Sequence, residues 1–346
     1  MFKKIIAVIL TLSFVALTGC GATTVSETTE EVTTEEEDLI VVGFAQVGAE
    51  SDWRKANTES MKNAFTRENG YELIFSDAQQ KQSNQITAIR TFIQQEVDYI
   101  VLAPVTEDGW DTVLGEAKDA GIPVIIVDRM VKVDDNSLFV CWVGSDFRLE
   151  GNKVCEWIHS YLEKNSMDES EFNIVGIQGT MGSSSQIGRS AGLRKAVGEY
   201  GWNLLAEGKG EYTQARAREV MASMLGLYKD IDAVYCENDN EAFGVIEAIE
   251  ASGKKVGNNI KRGEIMVLSF DGVSDQAIEF CREGKISCIG ECNPLHGPRV
   301  ANIIASLEKG VSPEKYEYVD ESIISTFDGI TSVAIDEEDY PVTILK

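Results

Sequence analysis

The chain has 346 residues, and its 57 acidic residues outnumber 31 Lys and Arg, which gives a formal net charge of −26. So acidic a chain is unsuited to nucleic acids and to anionic lipid surfaces, because both would repel it. Its seven cysteines and two histidines form no zinc-binding pattern, so we expect neither a metal nor a cofactor.

The first 20 residues have the features of a secretory signal. Lys3 and Lys4 precede an apolar run over residues 5–17, which is shorter than a typical membrane span and has the length of a signal-peptide core. The run ends in Leu-Thr-Gly-Cys, which resembles a bacterial lipobox. We therefore predict a lipoprotein signal peptide at residues 1–20, with Cys20 lipidated at the outer face of the membrane. A cleaved signal with a chance cysteine and an N-terminal anchor helix are the alternatives.

Residues 21–38 are dominated by Thr and Glu and contain no basic or aromatic residue. Such a segment buries too little apolar surface to offset its ordering entropy, and its acids repel one another. The composition predicts a disordered acidic tether. A spacer of this kind is typical of a Gram-positive cell surface, whereas in a Gram-negative cell the chain would be periplasmic.

The folded part, residues 39–346, is longer than one core usually serves, so we expect two domains. Short aliphatic runs alternate with amphipathic stretches, which predicts parallel sheets covered by helices on both faces. The first half has predicted strands at 40–44, 71–75, 99–102 and 123–127, and predicted helices at 52–68, 80–94 and 108–119.

The same alternation starts again after about residue 146, which predicts a second, similar α/β half. Its predicted helices are 148–164, 186–200, 213–228, 240–251 and 273–283, and its strands are 173–177, 202–206, 233–235, 265–270 and 286–290. Segments 295–308 and 316–326 then complete one lobe or cross between the two.

Polar side chains recur directly after these strands, among them Gln46, Asp128-Arg129, Asn238, Asp271 and Glu291. Ligands of open parallel sheets bind beyond the carboxyl ends of the strands. Carboxylates, amides and guanidinium groups facing each other across a cleft suit a polyhydroxylated ligand, because each hydroxyl both donates and accepts. Trp53 and Tyr212 are candidates for the flat surface that covers a sugar ring.

Several stretches carry a family resemblance: VGFAQVGAESDWRKANTESMKNAF at 42–65, DAQQKQSNQITAIRTFIQQEVDYIVLAPVTEDGW at 77–110, EAKDAGIPVIIVDR at 116–129, QGTMGSSSQIGR at 178–189, ENDNEAFGVIEAI at 237–249 and SFDGVSD at 269–275. Together they resemble type I periplasmic sugar-binding proteins of the ribose-binding family. Within that family they are most similar to the galactofuranose-binding proteins of ABC sugar importers. The similarity covers nearly all of residues 40–310.

The resemblance implies two doubly wound parallel-sheet lobes joined by a three-strand hinge. The N-terminal lobe would comprise residues 39–143 and 293–322, and the C-terminal lobe residues 144–292 and 323–346. It further implies a monomeric binding protein without enzymatic activity. Such a protein closes around a small sugar and delivers it to the transmembrane subunits of an ABC permease.

The resemblance and the strand ends together imply one ligand-binding set, which comprises Gln46, Glu50, Trp53, Arg54, Asp128, Arg129, Arg189, Tyr212, Asn238, Asp271 and Glu291. The first loop, residues 50–54, matches the galactofuranose type rather than the paired phenylalanines of ribose binders, which favours a furanose. Asp52 stands where the family pattern has a glycine.

Other interpretations stay open at this point. The same module could present a sugar or a furanose-like signal to a membrane sensor kinase. The chain also shares its predicted fold with lactose-repressor-type regulators, although a lipobox and the lack of a helix-turn-helix oppose that interpretation. An enzyme on the same scaffold is a third alternative. Asp128-Arg129 alone fits a surface ion pair, and the glycine-rich turn before Gln186 fits either a phosphate cradle or an N-cap.

The remaining cysteines and the histidines have simpler interpretations. Six cysteines follow the lipobox, and we expect most of them to be buried thiols, with a Cys288–Cys292 or Cys281–Cys288 bridge as the alternative. The histidines have no partner at metal or catalytic spacing, so we interpret both as structural.

Overall fold

The computed structural model describes residues 39–346. The predicted signal peptide, the lipobox residue Cys20 and the acidic tether all fall on residues 1–38 and lie outside the described residues. Within residues 39–346, none of the helices combines the length and the apolar character that a membrane span requires.

The elements alternate between strand and helix along most of the chain. The first group comprises β1 (Ile40–Gln46), α1 (Asp52–Ala64), β2 (Tyr71–Asp77), α2 (Gln82–Gln94), β3 (Tyr99–Leu102), α3 (Asp111–Asp119), β4 (Val124–Val127) and β5 (Cys141–Gly144). The second group comprises α4 (Phe147–Lys164), β6 (Asn173–Gln178), α5 (Ser184–Tyr200), β7 (Asn203–Lys209), α6 (Gln214–Leu227), β8 (Ala233–Cys236), α7 (Asp239–Ala251), β9 (Lys255–Val256), β10 (Glu264–Asp271), α8 (Asp275–Arg282) and β11 (Cys288–Glu291). The chain ends with α9 (His296–Glu308), β12 (Tyr316–Tyr318), β13 (Ile323–Ser325), β14 (Ser332–Ile335) and β15 (Glu338–Ile344).

These strands form two sheets. The first has the order β2-β1-β3-β4-β5-β12, and all of its pairs are parallel. The second has the order β7-β6-β8-β10-β11-β13-β15-β14, with β9 beside β10. Its pairs from β7 to β11 are parallel, whereas β11–β13 and β14–β15 are antiparallel. The predicted fold class, α/β with doubly wound parallel sheets, is confirmed.

Both sheets are buried on both faces, which explains the continuous aliphatic runs in the sequence. In β4, Ile125 and Val127 pack into the apolar cluster on one face, and Val124 and Ile126 pack into the cluster on the other. Strand β10 divides its side chains between two clusters in the same way. The strands are therefore held in place by helices on each side.

The chain passes between the two sheets three times, at residues 145–146, 292–295 and 319–322, which we term the crossover segments. They run side by side: Val319 N donates to Gly144 O at 2.9 Å, and Glu291 N donates to Ser322 O at 3.0 Å. We refer to the first sheet with its helices as the first lobe and to the second sheet with its helices as the second lobe. The carboxyl ends of both sets of parallel strands lie near the crossover segments.

The structure contains strands that sequence patterns did not predict, namely β5, β9, β14 and β15. Strand β5 has the sequence Cys-Trp-Val-Gly, which is short and has a single β-branched residue, but hydrogen bonds to β4 and β12 on either side stabilise it. The β14–β15 hairpin has alternating burial and begins its second strand with two acids. Its apolar signal was therefore weak.

Candidate functional site

A cavity of about 280 Å³ lies between the two lobes. Its walls are polar side chains interleaved with aromatic ones, and nearly all of them are buried. The lining residues are Glu50, Ser51, Trp53, Arg54, Asp128, Arg129, Phe147, Ser185, Arg189, Tyr212, Asn238, Asp271 and Cys292.

Arg54 organises the first-lobe wall from the first turn of α1. Ser51 caps this helix by accepting a hydrogen bond from Arg54 N, which fixes the start of the helix at the cavity. The Arg54 guanidinium donates to Glu50 Oε1 at 3.1 Å, to Asp128 Oδ2 at 2.6 Å and to Gln46 Oε1 at 3.2 Å. Each of the three guanidinium nitrogens of Arg54 thus donates a hydrogen bond, and these bonds hold the carboxylates of Glu50 and Asp128 in place.

Asp128 and Arg129 enter the cavity directly after β4. Asp128 has φ of +60°, a left-handed conformation that turns the chain at the strand end. Gly144 allows this turn, because a Cβ there would lie 2.4 Å from Asp128 O. The Arg129 guanidinium donates to Val105 O at 3.1 Å, and its carbon lies 5.2 Å from the centre of the Tyr212 ring in the other lobe.

Arg189 has the corresponding role in the second lobe. It projects from α5, and its Nε donates to Glu150 Oε2 at 2.7 Å. Its Nη2 donates to Asp271 Oδ1 at 3.4 Å, and its Nη1 donates to Glu237 O. Asp271 ends β10 with φ of +99°. Two carboxylates of the cavity, Asp128 and Asp271, therefore sit on strained backbone, which proteins concentrate at functional sites.

Tyr212 and Asn238 complete the second-lobe wall. The Tyr212 hydroxyl donates to Ser185 Oγ at 2.7 Å. Its ring packs against Gly179 so closely that a Cβ at that position would lie 1.9 Å from the ring. Asn238 Oδ1 caps α7 by accepting from Glu241 N at 2.8 Å. Its amide nitrogen is close enough to Tyr212 O, at 3.4 Å, for a long hydrogen bond.

Three guanidinium groups and three carboxylates thus share a small buried volume. Burial acts to raise the pKa of Asp128, but the charges of Arg54 and Arg129 outweigh it and hold this pKa below its ordinary value. Burial raises the pKa of Asp271 well above its ordinary value, although Arg189 opposes the change. The surroundings therefore favour the ionised, accepting form of Asp128, whereas burial favours the protonated form of Asp271, which can also donate.

Two atoms of the cavity wall have no hydrogen-bond partner among residues 39–346: Glu50 Oε2 and Arg129 Nε. Glu50 Oε1 lies 3.5 Å from an Arg129 nitrogen, so the two groups are neighbours. Burying an unsatisfied charged group costs several kcal/mol unless another molecule satisfies it. An acceptor and a donor on neighbouring side chains match a hydroxyl group, which needs one of each.

Nine of the eleven predicted site residues line this cavity. The other two lie elsewhere. Gln46 is buried behind Arg54 and orients it. Glu291 ends β11 outside the cavity, and its carboxylate accepts from the backbone and hydroxyl of Ser322 at 3.0 and 2.8 Å. The strand-end rule selected Glu291 by position, but its side chain turns towards a crossover segment.

Four lining residues were missed by the sequence analysis: Ser51, Phe147, Ser185 and Cys292. Ser51 and Ser185 lie at helix N-termini. Serine is common at that position in any protein, so a serine there does not indicate a binding site. The glycine-rich turn before α5 ends at Ser183, whose side chain caps that helix. The six cysteines among the described residues are buried free thiols.

The two histidines have packing roles. His296 lies behind the cavity, where its ring contacts Trp53 edge-on at 5.7 Å and its Nδ1 is 3.2 Å from Asn57. The His159 ring stacks on Tyr200 with 4.0 Å between the ring centres, and its Nδ1 lies 2.9 Å from Glu169 Oε1. Both were interpreted as structural from the sequence, and their contacts agree with that interpretation.

Comparison with protein families gives a match to the periplasmic binding protein domain over residues 42–296, most of the chain. The chain belongs to the periplasmic binding protein family. The galactofuranose-binding protein YtfQ of Escherichia coli is 37% identical to this periplasmic binding protein over 281 residues, which covers 80% of this chain and 85% of YtfQ.

Two solved structures resemble this periplasmic binding protein closely. One, from Mycobacterium smegmatis in complex with β-D-fucofuranose, has a TM-score of 0.78 at 36% identity and covers 84% of this chain and 92% of its own. The other, the arabinose-transporter component of Shewanella sp. ANA-3 bound to α- and β-L-arabinofuranose, has a TM-score of 0.75 at 37% identity and covers 82% and 91%.

The buried acids around the cavity predict an unusual pH dependence of stability. Burial raises the pKa of Glu237 from 4.5 to about 8. Because this folded-state pKa is higher than the unfolded one, its stabilising contribution is complete below pH 4.5 and is lost as the pH rises through 8. We expect the unfolding free energy to fall by about 2 kcal/mol between pH 6.5 and pH 8.5.

Chemical denaturation of the wild type and of Glu237→Gln at these two pH values measures this effect. The range avoids most of the titration of His296, because burial lowers the pKa of that group to about 4 and its effect has the opposite sign. The variant should show a shallower decline, since glutamine cannot ionise. Parallel pH curves for the two proteins would contradict the assignment.

Proposed function

We propose that this chain is an extracytoplasmic solute-binding lipoprotein that holds one small furanose sugar between its lobes and delivers it to an ABC permease. The sugar would be a galactofuranose-like hexose or a pentose in its furanose form. The two lobes would close around the sugar by a hinge movement. The first lobe would comprise residues 39–143 plus 293–322, and the second residues 144–292 plus 323–346. The chain would bind the sugar and release it chemically unchanged.

One observation carries the proposal: guanidinium and carboxylate groups line a buried cavity between the lobes, and two of their atoms, Arg129 Nε and Glu50 Oε2, have no hydrogen-bond partner among residues 39–346. The remaining guanidinium and carboxylate groups would bind further hydroxyls, with Arg54 and Arg189 orienting them from opposite lobes. Trp53, Phe147 and Tyr212 supply flat apolar surface for the C–H face of a ring. Related structures that hold furanose sugars support the same ligand class.

Direct contacts between the lobes support closure around the ligand. Asp52 N in the first lobe donates to Asn240 Oδ1 in the second lobe at 2.9 Å. Glu107 N likewise donates to Gly182 O at 2.9 Å, and Met130 N donates to Ser184 Oγ at 2.8 Å. A sugar that touches both walls would favour this closed arrangement over an open one, and a permease would then recognise the closed form.

The location and the partner follow from the same proposal. Lipidation of Cys20 would anchor the protein at the outer face of the membrane, on a Gram-positive cell surface or in a periplasm. A tether formed by residues 21–38 would let the folded part reach the permease as a monomer. Metabolic labelling with an alkyne fatty acid, lost in Cys20→Ala, would test the anchor.

A thermal-shift panel of the purified soluble part, residues 39–346, tests the ligand class. The panel contains D-galactose, L-arabinose, D-fucose, D-ribose, D-xylose, D-fructose and a short oligosaccharide. We expect stabilisation by sugars that populate a furanose with the galactose or arabinose configuration, and none by the oligosaccharide, which exceeds the cavity. A panel in which only D-ribose or only the oligosaccharide raises the melting temperature would contradict the proposal.

A further inference from the structure

Four polar side chains meet where the three crossover segments run side by side. Ser145, Cys292 and Glu321 come from one segment each, and Glu150 comes from the first turn of α4. The carboxylate oxygens of Glu150 and Glu321 and the sulfur of Cys292 lie within 4.8 Å of one another. All four residues are at most 7% exposed. We refer to them as the hinge cluster.

Glu321 connects the crossover segments to one another. Its Oε1 accepts from Ser145 Oγ at 2.7 Å and from Asn293 N at 2.6 Å. Its backbone oxygen accepts from Lys153 Nζ on α4 at 2.6 Å. A single side chain therefore bonds to both of the other crossover segments, so any relative movement of the lobes must rearrange its contacts.

Glu150 connects the hinge cluster to the cavity. Its Oε2 accepts from Arg189 Nε at 2.7 Å, in one of the closest ion pairs of the cavity wall. Its Oε1 is buried and has no hydrogen-bond partner in the described part of the chain. Glu150 thus pairs with Arg189 through Oε2 on the cavity side, whereas its Oε1 is an acceptor without a donor on the hinge side.

Two carboxyl groups so close together cannot both be ionised without a large cost. The groups that face them are Arg189 and Lys153 as cations, Asp271 as an acid, the Cys292 thiol and the Tyr235 phenol. Burial and the charge of Glu150 raise the pKa of Glu321 to about 9. Burial also raises the pKa of Glu150, although Arg189 opposes this.

We propose that Glu150 and Glu321 share one proton, and that Glu150 is thereby a positioning residue that couples Arg189 in the cavity to the hinge. The proton is carried by Glu321 and donated to Glu150 Oε1, which satisfies that acceptor. The pair keeps one negative charge, which Arg189 balances. Loss of the proton creates two adjacent negative charges, which push Glu150 out of place and release Arg189.

The part of this idea that concerns sugar affinity rests on the proposed function, but the shared proton does not. Two measurements separate them. The first follows the unfolding free energy of sugar-free protein between pH 7 and pH 10 in the wild type and in Glu321→Gln. The second follows the affinity for the best-binding sugar of the panel by calorimetry over the same range, with Glu150→Gln added.

In the sugar-free measurement, the wild type should lose stability as the pH rises through 9, because the raised pKa of Glu321 makes the folded protein bind more protons than the unfolded chain. Glu321→Gln should show a flatter curve, since the amide imitates the protonated acid. Identical curves for the two proteins would overturn the shared proton, whether or not a sugar binds.

In the affinity measurement, the wild type should bind at least fivefold more weakly at pH 10 than at pH 7, and Glu321→Gln should change by less than twofold. Glu150→Gln should bind more than tenfold more weakly at pH 7, because Arg189 loses its charged partner. Glu163→Gln, on the exposed side of the same helix, serves as the matched control and should bind like the wild type.

Three results would overturn the coupling. They are wild-type affinity in Glu150→Gln, a parallel pH dependence of affinity in Glu321→Gln and the wild type, and elemental analysis that finds one tightly held zinc ion per chain in place of the proton. If no sugar of the panel binds the wild type, the proposed function fails, and the sugar-free measurement still decides whether the proton is shared.

Discussion

Arg129→Ala is expected to bind its sugar more than tenfold more weakly than the wild type while keeping its fold. Arg129 lines the cavity, its buried Nε has no hydrogen-bond partner among residues 39–346, and its guanidinium packs against Tyr212 of the opposite lobe. A hydrogen bond from a charged donor contributes about 1.5–3 kcal/mol, which corresponds to about 10- to 100-fold in affinity. The fold should survive, because the hydrogen bond of Arg129 within residues 39–346 goes to a single backbone oxygen.

Calorimetry on the purified variant measures the affinity, and circular dichroism checks the fold. Arg90→Ala is the matched control, since Arg90 pairs with Glu116 on the surface of α2 and lies outside the cavity wall. Asp271→Ala should reproduce the Arg129→Ala result from the second lobe, because it removes the carboxylate beside Arg189. Unchanged affinity in both cavity variants would mean that the ligand binds elsewhere.

Gly179→Ala is expected to damage the site by displacing Tyr212. A methyl group at residue 179 would lie 1.9 Å from the aromatic ring, so the ring must leave its position. The ring is buried, and the backbone of Tyr212 holds a left-handed conformation, so the easiest movement is into the cavity. We expect more than tenfold weaker sugar binding and about 1–3 kcal/mol lower unfolding free energy, as in other overpacked sites.

The control for this variant is Gly198→Ala on α5, where a Cβ would meet no atom within 4 Å. That change should leave sugar binding intact and stabilise the helix by about 0.5–1 kcal/mol. When the ring is already removed in Tyr212→Ala, adding Gly179→Ala should lower the unfolding free energy by much less than it does in the wild type, because the methyl group no longer meets the ring. Wild-type binding by Gly179→Ala would show that Tyr212 does not form part of the site.

The sequence predicted the fold well where burial leaves a strong pattern. Strands such as β3 and β4 are buried on both faces, so their uninterrupted aliphatic residues are visible without a structure. The β14–β15 hairpin was missed because one of its faces is exposed and its register depends on neighbours distant in sequence. Short strands stabilised by pairing rather than by composition are not visible in a sequence window.

Most of the candidate site was predictable for a similar reason. Parallel strands bring their carboxyl ends to one edge, so polar residues after strands, such as Asp128 and Asp271, were expected to converge. The direction of each side chain was not predictable. Glu291 obeys the positional rule but turns away from the cavity, whereas Glu150 and Glu321, which no motif marks, are brought together by the crossover segments.

A crystal structure of residues 39–346 grown with L-arabinose or D-galactose tests the central idea most directly. One furanose ring should lie between the lobes, with a hydroxyl within hydrogen-bonding distance of both Arg129 Nε and Glu50 Oε2 and with Arg189 contacting the ring from the other side. Electron density for the sugar outside this cavity, or a cavity without sugar density at a saturating sugar concentration, would contradict the proposed site.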